Sequence, residues 1–182
     1  TPGFIDTHAH GDPVENPEMH NFLAMGVTTI CLGQDGSSTP VREMKRWFES
    51  VEAARPGPNV LTFVGHGTVR RESGIGISTT PTLEQLHQMA DLVEEGLQAG
   101  AFGLTTGLEY HPGVFATPEE LAIVAGPVGR RGLVVMSHMR NEDDDQVTSS
   151  IRELIAQCRA AGARAHASHL KSVYGKGGAR AG

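Results

Sequence analysis

Three observations predict an α/β protein, a (β/α)8 TIM-type barrel that is incomplete, with about six of its eight units in this chain. Short β-branched or apolar runs alternate with longer runs of helical periodicity six times over, and the last has no helix after it. Such alternation points to a parallel sheet with helical crossovers. Histidines and other polar residues follow most of the strand-like runs, where a barrel keeps its functional groups. No Gly-x-Gly-x-x-Gly follows the first run, which counts against a dinucleotide-binding, doubly wound sheet.

The first run is Phe4-Ile5, two residues suited to a buried strand, leading into Asp6-Thr7-His8-Ala9-His10. Asn16-Pro17-Glu18 opens a short helix through Met25, with Asn16 as N-cap and Pro17 at N1. Val27 to Leu32 is the second strand, and Gly33 to Ser38 a polar loop at its end. Pro40 to Ala54 reads as a helix with Met44, Trp47, Phe48 and Val51 on one stripe. Val60 to Val64 is the third strand, running into Gly65-His66-Gly67, with a long loop from Thr68 to Pro81. Thr82-Leu83-Glu84-Gln85 is a capping box for a helix to about Ala99. Ala101 to Thr106 is the fourth strand, followed by Gly107-Leu108-Glu109-Tyr110-His111.

Thr117-Pro118-Glu119-Glu120 is a second capping box, and its helix reaches about Arg131 with a kink at Gly126-Pro127. Leu133 to Met136 is the fifth strand, ending in Ser137-His138. Asp143, Asp144 and Asp145 stand near the start of the next helix, where the macrodipole favours acids over any metal role. That helix carries Ile151, Leu154, Ile155 and Cys158, and Ala163 to His169 is the sixth strand. The Gly175–Gly178 tail reads as a mobile loop, since it lacks the Gly-Lys-Ser/Thr ending of a phosphate loop.

Composition narrows the function. The 182 residues are enough for one domain with a core. Net charge −6 argues against nucleic-acid binding, which needs a basic face. No apolar run approaches the roughly 20 residues of a membrane helix. Cys31 and Cys158 fall in separate elements and do not resemble a secreted disulfide framework, so a reducing, cytoplasmic setting is expected. The chain opens on Thr1-Pro2-Gly3 and closes without a final element, as a segment of a longer protein would.

His8 and His10, two apart, share one face of a strand end and can grip one metal ion, at about 2.0–2.1 Å for zinc. Alone, the pair could equally be satisfied histidines without a ligand. His138 and His169 follow the fifth and sixth strands at comparable places, and a barrel would gather all four at one mouth. Together they favour a metal site. A bridging anion for a second metal would come from Glu109 or Asp35. His66 reads as a hydrogen-bonded structural residue, and His20, His87, His111 and His166 as surface or loop residues.

These residues carry a resemblance. The stretches Pro2–His10, Gly26–Thr29, Val64–Gly67, Gly107–Tyr110, Ser137–Glu142 and Ser168–Lys171 resemble, in order, the amidohydrolase superfamily and most closely its N-acyl-D-amino-acid deacylase (D-aminoacylase) branch. The resemblance implies one or two divalent ions, zinc by default, with His8 and His10 on one and His138 and His169 on the other. It implies Glu109 as the completing carboxylate. Asp35 stands where the branch often has a cysteine ligand. The superfamily's strand-eight aspartate, ligand and proton shuttle, would lie beyond residue 182. Residues 1–182 would then be the N-terminal part of the catalytic barrel, with its other strands and any small β domain outside the chain. Alone, the segment is expected to be inactive.

The expected activity is metal-dependent hydrolysis of the amide bond of N-acyl-D-amino acids, which are small molecules. Lys171, two past His169, resembles a residue that meets the substrate carboxylate, against a solvated lysine. Arg140 is a second carboxylate partner or a structural ion pair. Tyr110 donates to the reacting carbonyl or packs. A cyclic-amide hydrolase of the dihydroorotase or hydantoinase kind is a weaker expectation, because that group generally uses a carboxylated lysine after the fourth strand. A non-catalytic barrel scaffold is another, and such relatives usually lose the histidines.

Overall fold

The computed structural model describes residues 2–171 and Val173. The glycine-rich tail lies outside the described residues.

All ladders are parallel. Strands β1 (Phe4–Asp6), β2 (Val27–Leu32) and β3 (Asn59–Thr62) form one sheet in that order. Strands β4 (Val64–Gly65), β5 (Gly103–Gly107), β6 (Val134–His138) and β7 (Arg164–Ala167) form another in that order. Only Phe63 separates β3 from β4. Its amide donates to Leu32 O at 3.0 Å, and the Phe102 amide donates to Thr62 O at 2.8 Å. The third expected strand is therefore one run with a break, and six strand positions follow one another in chain order. The parallel α/β pattern is as the alternation predicts.

Phe4 and Ile5 are 65% and 63% exposed, not buried. Among the described residues their strand pairs only with β2, which leaves its other edge open. The first helix is also shorter than expected. Helix α1 is His20–Ala24, and Met19, left-handed at φ 43°, holds the cap position instead of Asn16. The Asp12 carboxylate accepts the amides of Val14 and Glu15 at 2.8 and 3.1 Å, winding residues 12–16 into a turn that competes with helix.

Helix α2 (Met44–Ala54) follows a single 3₁₀ turn at Val41–Glu43. Residues expected in a long loop instead form helix α3, His66–Glu72. Its stability comes from afar. The fully buried Arg70 donates to Glu120 Oε1 at 2.6 Å and Oε2 at 3.0 Å, and to Ser78 O at 2.7 Å. Helix α4 (Leu83–Ala99) has both halves of its capping box, Thr82 with Gln85, and stops at Gly100 in the left-handed region. Gly96 lets α4 lie on the sheet, since a Cβ there would fall 2.4 Å from a Val64 methyl.

The expected kink is a break between helices α5 (Pro118–Val124) and α6 (Gly126–Arg130). Thr117 caps α5 by accepting the Glu120 amide at 3.2 Å, but the Glu120 side chain turns to Arg70, so the box is only half made. Helix α7 is Val147–Ala161. The three aspartates precede its first turn rather than occupying it, and the Asp143 carbonyl accepts the amides of Gln146 and Val147.

The main core lies between the sheet and its helices. Val64, Leu104 and Val135 pack there with Met89, Val93, Leu154 and Cys158. Cys31, Phe63 and Met136 form a smaller buried group. Both cysteines are free and buried, and burial pushes the Cys158 thiol up to about 11. No helix of the described residues is long and apolar enough to cross a membrane.

Candidate metal centre

The site is built at the C-terminal ends of β1, β2, β5, β6 and β7. Beyond β1 the chain stays on the sheet, because the Ala9 amide donates to Cys31 O at 3.0 Å. His8 and His10 flank that bond, so their rings share one side, with Nε2 atoms 3.3 Å apart. Beyond β2, the loop Gly33–Ser38 is tied down at several points. Gln34 Nε2 donates to Thr7 O and Cys31 O at 3.1 and 3.0 Å. The Thr68 amide donates to Gly36 O at 3.2 Å, and the Ser38 amide to Thr68 Oγ1 at 3.0 Å.

These ties hold Asp35 in the left-handed region at φ 56°, a conformation aspartate tolerates better than most residues. They aim its carboxylate at three imidazoles: His8 Nε2 at 3.4 Å, His10 Nε2 at 3.2 Å and His138 Nδ1 at 3.5 Å.

His138 ends β6 and is buried. Its Nε2 lies 2.8 Å from Glu109 Oε2, and Tyr110 lies across it with ring centroids 4.4 Å apart and the hydroxyl 3.4 Å from Nδ1. The His169 ring is 4.6 Å from that of His138 and 5.5 Å from that of His8. The four histidines singled out in the sequence are thus brought together.

Of the two candidate carboxylates, Asp35 faces three histidines, whereas Glu109 contacts one and its side chain is about half exposed. Potential ligand atoms of His8, Asp35 and His169 lie within 4.8 Å of one another, as do those of His138, Glu142 and His169. Imidazole nitrogens mixed with carboxylate oxygens suit zinc. His8 Nδ1 is buried without a hydrogen bond, and the Asp35–histidine distances are long for hydrogen bonds. Both features fit a site whose donors converge on a cation rather than on each other.

The electrostatics agree. Burial pushes the His8 imidazole down, toward the neutral form a metal ligand needs, against the pull of Asp35. Burial pushes the Asp35 carboxyl up, but His138, His8 and His10 outweigh it and leave it lowered, as an anion. His138 is the reverse: burial lowers it, Asp35 and Glu109 outweigh burial, and the net shift is upward.

The other sequence candidates divide. Lys171 reaches the site, with Nζ 2.9 Å from Glu142 Oε2, which raises its pKa. Arg140 is taken up by the fold. It grips Glu153 at 2.9–3.1 Å and donates to Val114 O and Ala116 O, so the ion-pair alternative holds over the carboxylate-partner one. His66 is structural, fully buried with Nε2 2.8 Å from Glu120. His87 and His111 are exposed, and His20 is exposed beside Glu18. His166 sits on β7, half-buried, rather than in a loop.

Glu142 is the residue that sequence reasoning missed. It lies in the quoted Ser137–Glu142 stretch, almost wholly buried, touching His169 Nδ1 and Lys171 Nζ. Its only sequence signal is an acid placed four residues after a ligand candidate.

Comparisons with known proteins point the same way. No family model matches the chain. It is 32% identical to an N-acyl-D-glutamate deacylase of Alcaligenes xylosoxydans xylosoxydans, over 94% of this chain and 40% of that protein. It superposes on the N-acyl-D-glutamate deacylase of Bordetella bronchiseptica, complexed with zinc and a phosphonate inhibitor that mimics the tetrahedral intermediate, with a TM-score of 0.91 and 31% identity. That match covers 99% of this chain and 43% of the other. It superposes on a D-aminoacylase with a binuclear metal centre at TM-score 0.85 and 27% identity, over 94% of this chain and 41% of the other. The chain spans about 40% of the length of these relatives.

By fold and sequence the chain is a homologue of the amidohydrolases. Within them its similarity runs to the N-acyl-D-amino-acid deacylases, over nearly its whole length.

Proposed function

We propose that this chain forms the N-terminal part of the catalytic barrel of a zinc-dependent hydrolase acting on N-acyl-D-amino acids. The observation that carries the reading is the convergence of His8, His10 and His138 on Asp35, with His169 adjoining. The in-order strands and the greater length of the relatives support a barrel whose remaining units complete the site. The two free, buried cysteines support a reducing compartment such as the cytoplasm.

His8, His10, His138 and His169 would hold one or two ions, with Asp35 as the shared carboxylate and Glu109 at the exposed side of His138. A bound divalent ion supplies Lewis acidity and brings the pKa of its water from 15.7 to about 7. The chain's own residues supply the rest. Asp35 stays ionised among the histidines. Tyr110, with its hydroxyl beside His138, is placed to donate to the amide oxygen. Lys171 presents an ammonium to a free α-carboxylate, the group that separates acyl-amino acids from neutral cyclic amides. The test is metal content plus hydrolysis, by the full-length protein, of a panel of N-acetyl-D-amino acids, their L-enantiomers and hydantoins. Turnover of hydantoins over acyl-D-amino acids would reject the substrate assignment.

A further inference from the structure

We infer that Glu142 is a positioning residue that ties the metal site to the substrate-carboxylate site, an inference resting on the hydrolase reading above. Glu142 follows β6 and is 2% exposed as a residue. Its Oε1 touches His169 Nδ1, and its Oε2 lies 2.9 Å from Lys171 Nζ. The Val173 amide donates to its main-chain carbonyl at 3.0 Å, so backbone and side chain both grip the segment after β7. A buried carboxylate costs several kcal/mol unless paired, and here Oε1 faces His169 and Oε2 faces Lys171 at ion-pair distance, without hydrogen-bond geometry.

The geometry has two consequences. A carboxylate on Nδ1 fixes the ring's tautomer and rotation, leaves Nε2 as the ligating atom and makes it more basic. A direct ligand role beside His138 and His169 is the alternative that a cobalt spectrum separates from positioning. The same carboxylate also holds the Lys171 ammonium, half-exposed at the end of a rotatable stem, beside the metal ligands. One anion thus sets the distance between the ion and the cation that meets the substrate carboxylate. Lys171 alone would not do this, since two residues past a strand end leave a lysine many rotamers.

The test uses Glu142→Gln in the zinc-loaded full-length protein, with Glu142→Asp as a second variant that keeps the charge but shortens the reach. Zinc affinity is read by chelator competition, which needs no turnover. It should fall about 10- to 100-fold in Glu142→Gln. Cobalt(II) in place of zinc should keep the shape of its visible spectrum, because the ligand set is unchanged. At saturating zinc, the preference in kcat/KM for N-acetyl-D-alanine over N-acetyl-D-alaninamide should fall about two- to tenfold in Glu142→Gln, as expected for losing one preordered side chain.

Unchanged zinc affinity overturns the proposal. A changed cobalt spectrum makes Glu142 a direct ligand and also overturns it, as does an unchanged acid-over-amide preference. Should Glu142→Gln not fold, Glu142→Asp answers the same measurements. If the full-length parent binds zinc but hydrolyses neither compound, the hydrolase reading fails, while the zinc and cobalt measurements still decide the role of Glu142.

Discussion

Replacing Glu120 by Gln perturbs a buried charge network that supports the site without touching it. Glu120, Arg70 and His66 are all fully buried. Glu120 accepts from Arg70 at 2.6 and 3.0 Å and sits 2.8 Å from His66 Nε2. Removing one partner of a buried ion pair leaves the other charge uncompensated, at a cost of about 3–5 kcal/mol. For a chain of this size each kcal/mol shifts the thermal midpoint by roughly 2–4 °C, so Glu120→Gln should lower it by about 6–20 °C.

Acidity probes the same contact. Burial pushes the Glu120 carboxyl up, but His66 and Arg70 outweigh it, so its folded pKa lies below the unfolded value of about 4.3. Its stabilisation is therefore complete above that value and is lost as pH falls through the lower, folded one. Thermal melts in a pH series should show the parent losing its advantage over Glu120→Gln as the solution becomes more acidic than about pH 4.3. Replacing both partners, as Arg70→Met with Glu120→Leu, should recover part of the loss, because no buried charge is then stranded. A midpoint within about 2 °C of the parent at pH 7 would mean that Arg70 finds water or another acceptor, and the network would not be what holds α3.

The remaining predictions concern the metal and the substrate. A His138→Ala, His169→Ala double variant, prepared without chelator, should lose zinc by elemental analysis, and unchanged content would exclude these residues as ligands. Asp35→Asn should weaken zinc in chelator competition more than Glu109→Gln, because Asp35 faces three histidines and Glu109 one; the opposite order would restore Glu109 as the principal carboxylate. In the full-length protein, Lys171→Met should cut kcat/KM for N-acetyl-D-amino acids about ten- to hundredfold, the equivalent of one hydrogen bond to a charged group. Equal loss on the matching amides would place Lys171 in the fold or the metal site.

What was legible in the sequence had local causes. The capping box at Thr82 and Gln85 and the stop at Gly100 bound α4, and the β-branched run Val27–Leu32 became β2. The histidines were legible because strand ends in a parallel α/β chain face the same way. What escaped depends on contacts far along the chain. Helix α3 rests on an Arg70–Glu120 pair fifty residues apart, and residues 66–72 show no capping signal or apolar stripe that marks a helix. Asp35 faces three histidines because hydrogen bonds from Gln34 to Thr7 and Cys31, and from Thr68 to Gly36, fix its loop, and no local pattern encodes them. Phe4 and Ile5 fit a strand, but whether a strand is buried depends on its neighbours, and β1 has one.

Charge gives the site its strongest internal argument. Asp35, Glu109 and Glu142 bring three carboxylates to one group of imidazoles, and the cation among them is Lys171, bound to Glu142. The Arg140 guanidinium is engaged with Glu153. The cluster therefore carries a formal excess of two negative charges in a half-buried setting, where like charges repel strongly. The upward shift of His138, produced by Asp35 and Glu109 against burial, has the sign this excess of negative charge requires. A divalent ion answers the same deficit better, because it meets nitrogen lone pairs and carboxylate oxygens at once. On the proposed reading, one such ion would cancel the excess and a second would leave the site positive, so that a carboxylate approaching Lys171 would meet attraction rather than repulsion. Metal loading and selection of an anionic substrate would then be parts of one charge balance.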